Sequence, residues 1–339
     1  MSPRTLANYE DGDTEPLMGK LDELAHELDV PAGFFFADDL VDIEPGAVSF
    51  RALSKMTATT RDAAIGSGIL ATQIARWLNE RLHLPDADVP TYARQVDPTT
   101  AAERVRSEWD MGYAKIRNAV HLIESHGVRV FSLPQHLADV DAFSFWFERL
   151  PYVFLNTRKS PERIRFDALH ELGHLVMHAD YDMPDTRERE HHANRFAAAM
   201  LMPADDVLAS RLRGAGVERV LEARQRWGVS AMALTHRIHE LGLTTDWVYT
   251  STCRRLSQLG YRSAEPGGTA VSETSQVLEK SFRMLRHRGI TQNDVARELH
   301  LHPGRLRELL FGLALTPIDG DSQGSASGQP VLTLLDGER

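Results

Sequence analysis

The feature that most constrains the fold of this chain is a change of hydrophobic period near its middle. Three strand-like runs lie between residues 128 and 156, namely VRVFSL, AFSFWF and YVFLN, and the second has Phe at every other position. This period of two is typical of a half-buried β-strand, whereas most of the remaining chain has apolar residues at helical spacing. The sequence therefore predicts an α+β fold that is mostly helical and contains one small β-sheet.

A helix that directly follows the three runs has clear start signals. Ser160 is a typical N-cap residue, Pro161 suits the first helical turn, and apolar residues continue at helical spacing to Val176. The short gap around Leu150 and Pro151 predicts a hairpin between the second and third runs. The small sheet should therefore lie beside this helix.

Breaks rich in Gly, Pro and Ser divide the rest of the chain into helical segments. Residues 3–36 predict two short helices, which cannot bury a core alone, and a longer helix is predicted over about 60–82. After the linker at 266–268, helices are predicted over about 272–312. The Gly/Ser/Gln-rich end from residue 319 has the composition of a disordered tail.

Composition limits the kind of site that the chain can build. The single cysteine, Cys253, excludes an intramolecular disulfide and a Cys-rich zinc site, so a metal would have to be held by carboxylates and by some of the 15 histidines. No run approaches the ~18 consecutive apolar residues of a membrane span, and the N-terminus has no apolar signal region. We therefore predict a cytoplasmic protein with no membrane partner.

The net charge of −10 is unevenly distributed. Residues 1–48 carry twelve acidic side chains against Arg4 and Lys20, which accounts for the whole excess. Residues 280–310 are basic instead, with seven Lys and Arg against three acidic residues, and predict a helix, a turn at His302-Pro303-Gly304 and a second helix. Charge therefore disfavours nucleic-acid binding at the N-terminus and leaves DNA open as a partner of the C-terminal helices.

The strongest chemical signal is the run His170-Glu171-Leu172-Gly173-His174 inside the helix after the strands. Positions i and i+4 put the imidazoles of His170 and His174 on one helix face, where both can bind one metal ion. Glu171 lies about 100° around the helix and can act as the general base on a water molecule. Two unrelated histidines on a surface helix are the alternative, but five of the 15 His lie between 170 and 192, which favours a metal site.

A third ligand should come from the next predicted helix, over about 187–201. Glu188 and Glu190 lie on it, and Glu190 is 16 residues past His174, enough for a turn and an antiparallel return. Asn194 lies one turn beyond Glu190 on the same face.

Three further histidines are near this group. His178 continues the four-residue spacing, but in an unbroken helix it lies roughly 12 Å from His170, too far for one tetrahedral ion, so we predict a helix-terminal or supporting position. His191 or His192 can stabilise an oxyanion, although an ordinary surface position is the stronger expectation.

Two motifs carry a resemblance to a known family. The stretch RIRFDALHELGHLVMH, followed after a loop by EHHANRFAAAMLMP, resembles the ImmA/IrrE family of bacterial zinc metallopeptidases, and weaker similarity extends from about Phe50 to Pro266. The resemblance implies a zinc site of His170, His174 and Glu190 with Glu171 as the catalytic base. Zinc proteases commonly bind substrate as an added strand along a sheet edge beside the metal helix, whereas the alternative is an ordinary sheet that only covers the core.

The resemblance also implies a function and a domain organisation. It implies an endopeptidase that cuts a helix-turn-helix repressor and so relieves transcriptional silencing under stress or during the induction of a mobile element. Residues 2–36 are similar to the second half of a Cro/repressor-type (XRE family) helix-turn-helix, and because its first two helices are missing we expect no strong DNA binding there. The predicted units are a partial helix-turn-helix-like segment (1–48), a zincin-like metallopeptidase domain (49–205), its helical extension (206–266), a C-terminal helical domain (267–318) and a disordered tail (319–339).

A second hypothesis belongs to a different functional class. The chain would be a DNA-binding transcriptional regulator or antitoxin-like protein, in which the peptidase domain senses a metal or a partner and the flanking helices contact DNA. Binding to duplex DNA that weakens steeply as salt rises distinguishes this hypothesis from the peptidase.

Overall fold

The computed structural model of the chain describes residues 2–43, 48–50, 56–93, 95–179, 186–262, 264–268, 271–310 and 333–334. Within these residues the fold is α+β and mostly helical, as the sequence predicts. The helices are α1 Pro3–Glu10, α2 Met18–Leu28, α3 Ala58–Asn79, α4 Pro98–Glu108, α5 Ala119–Ser125, α6 Pro161–Met177, α7 Thr186–Leu201, α8 Ala204–Ala209, α9 Val217–Ala223, α10 Ala231–Glu240, α11 Asp246–Gln258, α12 Gln276–His287, α13 Gln292–Glu298 and α14 Pro303–Leu310. The strands are β1 Val48–Phe50, β2 Leu82–His83, β3 Arg129–Ser132, β4 Ala142–Phe147, β5 Leu150–Leu155 and β6 Thr333–Leu334. None of the described helices is both long and apolar enough to cross a membrane.

The main sheet has the strand order β1-β4-β5-β3. β4 is antiparallel to both of its neighbours, and β3 is parallel to β5. The predicted hairpin is present, but its turn is at Glu148 and Arg149, and Leu150 and Pro151 already belong to β5. Both turn residues have positive φ, 48° and 67°, a backbone conformation that matches the right-handed twist of a two-residue hairpin.

The sequence expectation that the AFSFWF strand is half-buried is wrong, because helices cover both faces of the sheet. Phe143 and Phe145 pack into a cluster with α3 and the C-terminal helices. On the other face Ala142 joins the cluster around α6, and the Trp146 indole donates a hydrogen bond to the Leu175 carbonyl at 3.1 Å. A strand between two helical layers buries polar as well as apolar positions, so Ser144 is only 1% exposed.

The helix α6 begins and packs as its sequence dictates. The Ser160 hydroxyl accepts a hydrogen bond from the Arg163 backbone N–H at 3.3 Å, and Pro161 occupies the first turn. Gly173 allows α7 to approach closely, since a Cβ atom there would lie 3.0 Å from the Phe196 ring and 3.3 Å from the Ala193 Cα. The two helices that carry the candidate ligands are therefore held side by side.

Segments from the N-terminal and C-terminal parts of the described chain pack against the face of the sheet that is turned away from α6. Near the N-terminus, Ile43 and Val48 are buried in the same cluster as Phe143, whereas α1 buries no residue. At the C-terminus α14 is buried through Leu306, Leu309 and Leu310. The apolar cluster on this face is thus shared by the predicted units 1–48, 49–205 and 267–318, whose boundaries stay a prediction.

Local details of the C-terminal region differ from the sequence expectation. Thr291 forms a capping box with Asp294 and starts α13, but Pro303 is the first residue of α14 rather than part of a turn. Proline suits the first helical turn because its missing N–H has no partner to lose there. Of the predicted disordered tail, Thr333 and Leu334 pair with β2, and its other residues lie outside the described part of the chain.

Candidate metal centre

The structure brings the two histidines of the HExxH run together on α6. The Nε2 atoms of His170 and His174 are 3.1 Å apart, and the rings meet edge to face. Both side chains are buried, His170 fully and His174 with 3% exposure. The i, i+4 spacing therefore produces the expected common face.

The helix α7 supplies one carboxylate to this pair. Glu190 approaches His174 Nε2 with Oε1 at 3.2 Å and His170 Nε2 with Oε2 at 3.5 Å. These three residues form the one group within the described residues whose ligand atoms lie close enough to share an ion, all within 4.8 Å of one another. Glu188, the other carboxylate that the sequence left open, is half-exposed and lies 3.8 Å from His192 instead.

The distances between the ligand groups are close to those around a tetrahedral zinc ion. Two ligand atoms at zinc distances of about 2.0–2.1 Å in tetrahedral geometry lie roughly 3.4 Å apart. The two Nε2 atoms are 3.1 Å apart, and each has one oxygen of Glu190 at a similar distance, Oε1 at 3.2 Å from His174 and Oε2 at 3.5 Å from His170. Two imidazoles and one carboxylate also leave a fourth position for water, as catalytic zinc sites do.

Hydrogen bonds on the far side of each imidazole determine its orientation. His170 Nδ1 lies 3.1 Å from the Asn194 side-chain oxygen, which can only accept, so Nδ1 carries a proton and Nε2 is the nitrogen that faces Glu190 and would bind an ion. His174 Nδ1 lies 3.0 Å from His178 Nδ1. His178 follows the last residue of α6, and burial and the neighbouring His174 lower its pKa to about 2, so it is neutral. His178 thus occupies the supporting position that helix geometry predicts.

The charge of Glu190 is also suited to a cation. Burial by itself raises the pKa of this carboxyl, but the hydrogen bonds and charges of His170 and His174 outweigh burial and lower the pKa below its ordinary value. Glu190 is therefore ionised at neutral pH. An ionised carboxylate facing two imidazole nitrogens is a donor set that zinc prefers.

Glu171 lies beside the ligands and contacts the sheet. Its side chain has no exposed surface, and the Ser144 hydroxyl of β4 donates a hydrogen bond to its Oε2 at 2.7 Å. Sequence reasoning missed Ser144. The one available signal was the lone small polar side chain between two phenylalanines in AFSFWF, on the strand that precedes the hairpin.

The remaining histidines are placed apart from the ligand set. His192 is partly exposed, and its ring stacks on that of His178 at 6.0 Å. His191 is exposed and lines a cavity of about 1070 Å³ that also contacts Phe166 and Asn194, one turn from the ligands. A role for either in stabilising an oxyanion stays a prediction.

Comparison with known proteins gives one finding. Residues 123–239, about a third of the chain, match the peptidase family model described as Peptidase_M78, IrrE N-terminal-like domain. The matched region includes β3 to β5, α6, α7 and every candidate site residue, and it supports the resemblance to ImmA/IrrE proteins. No curated protein matches the chain. This region of the chain is therefore similar to a peptidase domain.

Proposed function

We propose that this protein is a zinc-dependent regulatory endopeptidase that cuts a helix-turn-helix repressor. The observation that carries the proposal is the convergence of His170, His174 and Glu190 beside the buried Glu171, inside the region that matches a peptidase family. The repressor substrate, the role in stress-responsive transcription and the cytoplasmic location rest on the resemblance to ImmA/IrrE proteins. The XRE-type nature of residues 2–36 also stays a prediction.

The residues have distinct roles in the proposed mechanism. His170, His174 and Glu190 would hold zinc and leave one position open. When bound, zinc would polarise the scissile carbonyl and lower the pKa of a water molecule towards ~7. Glu171 would take a proton from the attacking water and pass it to the leaving amine, while Ser144 holds its carboxylate in one orientation.

Substitution of the base tests this proposal. Glu171→Gln should keep the zinc content of the protein and lower cleavage of a proteome-derived peptide library by about 10²–10⁴-fold, the usual contribution of general base catalysis. Zinc is measured by elemental analysis, and cleavage by mass spectrometry. Glu188→Gln is the matched control, because this carboxylate lies on α7 outside the ligand group and should change neither quantity. Undiminished cleavage by Glu171→Gln, or loss of its zinc, contradicts the assigned role.

The alternative function, a DNA-binding regulator or antitoxin-like protein with the peptidase domain as a sensor, depends on the C-terminal helices. Arg297 and Arg307 are exposed on α13 and α14, which supports contact with phosphates. The other face of α14, including Leu306, is buried against the sheet. Affinity for duplex DNA that falls steeply with rising salt would favour this function over the peptidase.

A further inference from the structure

The sheet has one edge next to the metal helix. Ser144 on β4 contacts Glu171, and one edge of β4 is paired with β5. At the opposite edge of the sheet, β3 is separated from β4 by β5, so it lies roughly 10 Å from β4. A peptide that adds to this sheet beside Glu171 must therefore pair with the outer edge of β4.

That outer edge is occupied by the chain itself. β1 pairs with β4 in antiparallel orientation, with Val48 opposite Phe145, Ser49 opposite Ser144 and Phe50 opposite Phe143. The central pair places residue 49 directly opposite the serine that holds the proposed base. The backbone groups that a substrate strand would use on this stretch of β4 are consequently already paired.

The burial of the site agrees with an occupied edge. His170 and Glu171 have no exposed surface, and His174 is 3% exposed. A general base must reach both a water molecule and a peptide bond, which a fully covered carboxylate cannot do. The described structure is thus a closed state of the candidate metal centre.

The occupying strand is short. β1 has three residues, and Val48 is anchored in the apolar cluster on the face of the sheet away from α6. A three-residue strand makes few backbone hydrogen bonds at a sheet edge, so β1 is exchangeable with another extended peptide once Val48 leaves the cluster.

We propose that β1 is an internal occupant of the peptide-binding edge of β4, so that the chain keeps its own metal centre closed until residues 48–50 leave. This inference rests on the proposed peptidase function and adds its regulation. The occupant competes with substrate for one edge, so it raises the KM of the peptidase and leaves kcat unchanged. A repressor or another partner that removes β1 from the edge activates the enzyme.

A reversible cross-link tests whether β1 must leave. Val48 and Phe145 are opposite partners, and the Cα separation of such pairs, about 4.5–5.5 Å, is within the range that a disulfide spans. Val48→Cys and Phe145→Cys are combined with Cys253→Ala, which removes the native thiol. The zinc-loaded protein is then assayed with quenched fluorescent peptides of random sequence. The oxidised form should lose cleavage, and reduction should restore it in the same molecule, which controls for the substitutions themselves.

Release of the strand is the complementary test. Val48→Asp puts a charge into the apolar cluster and should detach β1, so we expect KM to fall by about tenfold at unchanged kcat if the edge is open in a tenth of wild-type molecules. Leu278→Asp is the matched control, because it puts the same charge into the same cluster on α12, which is not part of the sheet. It should not lower KM.

The outcomes separate this inference from the function on which it rests. An oxidised cross-linked protein that cleaves as fast as the reduced one, or an unchanged KM in Val48→Asp, overturns the internal occupant while the peptidase stands. Zinc-induced cleavage of the wild-type chain within residues 44–55 also overturns it, because that segment would then be a substrate. Absence of cleavage in both the reduced and the released forms overturns the peptidase function itself.

Discussion

The two halves of α6 each carry a buried polar cluster, and the two clusters are built in opposite ways. In the first half Arg165 pairs with Glu273 at 3.0 Å, so a buried cation meets a buried anion. In the second half His170 and His174 point their Nε2 atoms at each other and at the ionised Glu190. The first cluster neutralises its own charge, whereas the second gathers electron-pair donors around one point.

The hydrogen bonds of Glu273 complete the first cluster. Its Oε2 accepts from the backbone N–H groups of Ala119 and Val120 at 2.6 and 3.2 Å, which satisfies the N-terminus of α5. Burial raises the pKa of Glu273 to about 6, although Arg165 opposes the shift. Buried charges on one helix can therefore join distant segments at one end of the helix and form a ligand group at the other.

The largest effect is expected from a substitution that disrupts the first cluster, the pair of Arg165 and Glu273. Glu273→Ala leaves Arg165 buried without its counter-ion and two N–H groups at the start of α5 without their acceptor, so the free energy of unfolding should fall by about 3–5 kcal/mol. Urea denaturation measures the change. The surface pair of Arg163 with Asp141 is the control, since Arg163→Ala should cost at most about 1 kcal/mol. Equal effects of the two substitutions would mean that the buried pair is not the stronger contact.

A smaller effect is expected at the second cluster, His170, His174 and Glu190, because this cluster should make the free energy of unfolding depend on zinc. Zinc at a hundredfold excess over its dissociation constant should raise the free energy of unfolding by about 2.7 kcal/mol and raise Tm accordingly. His174→Gln removes a ligand and should abolish the zinc-dependent rise, whereas the exposed His191→Gln should retain it. A zinc effect that survives in His174→Gln would place the metal elsewhere.

The smallest effect concerns Glu124, a buried carboxylate that, like Glu273, accepts hydrogen bonds from backbone N–H groups. Glu124 accepts from the backbone N–H groups of Gln276 and Val277 at the start of α12, and burial raises its pKa from 4.5 to about 7. The folded protein therefore binds this proton more tightly than the unfolded chain, so the stabilisation is present below pH 4.5 and is lost as pH rises through 7.

Replacement of that carboxyl shows the effect directly. Between pH 4.5 and 6 the free energy of unfolding of Glu124→Gln should rise relative to that of the wild type by on the order of 1–2 kcal/mol, because the amide does not ionise. Denaturation curves of both proteins at the two pH values measure this gain. A constant difference between them at both pH values would mean that Glu124 titrates normally.

Much of the local structure around the site was predictable from the sequence. The strand over 142–147 and the helix that opens at Pro161 occur where alternation and capping residues indicate them. The half-buried character of that strand was predicted wrongly, because periodicity records which face is apolar and not whether a second layer covers the polar face. The hairpin turn is one residue pair earlier than expected, since Glu148 and Arg149 adopt positive φ without glycine.

The less predictable features all join segments that are far apart in the chain. Ser144 reaches Glu171 across 27 positions, and Glu273 reaches Arg165 across 108. No short-range spacing encodes such contacts, because they depend on how layers pack. The same holds for β1, whose three residues have no strand signal of their own beside the long β4.

By itself the sequence determined the helix that presents His170 and His174, because i, i+4 geometry is local and independent of the remaining fold. The ImmA/IrrE resemblance implied Glu190 as the third ligand, but local geometry left Glu188 open, and only the tertiary structure shows that Glu190 faces the two imidazoles, since this depends on the rotation and distance of α7. The tertiary structure also decided that β1 covers the edge of β4, because strand pairing joins residues about a hundred positions apart. The metal-binding pair is thus a property of one helix, whereas the third ligand and the closure of the site are properties of the packed molecule.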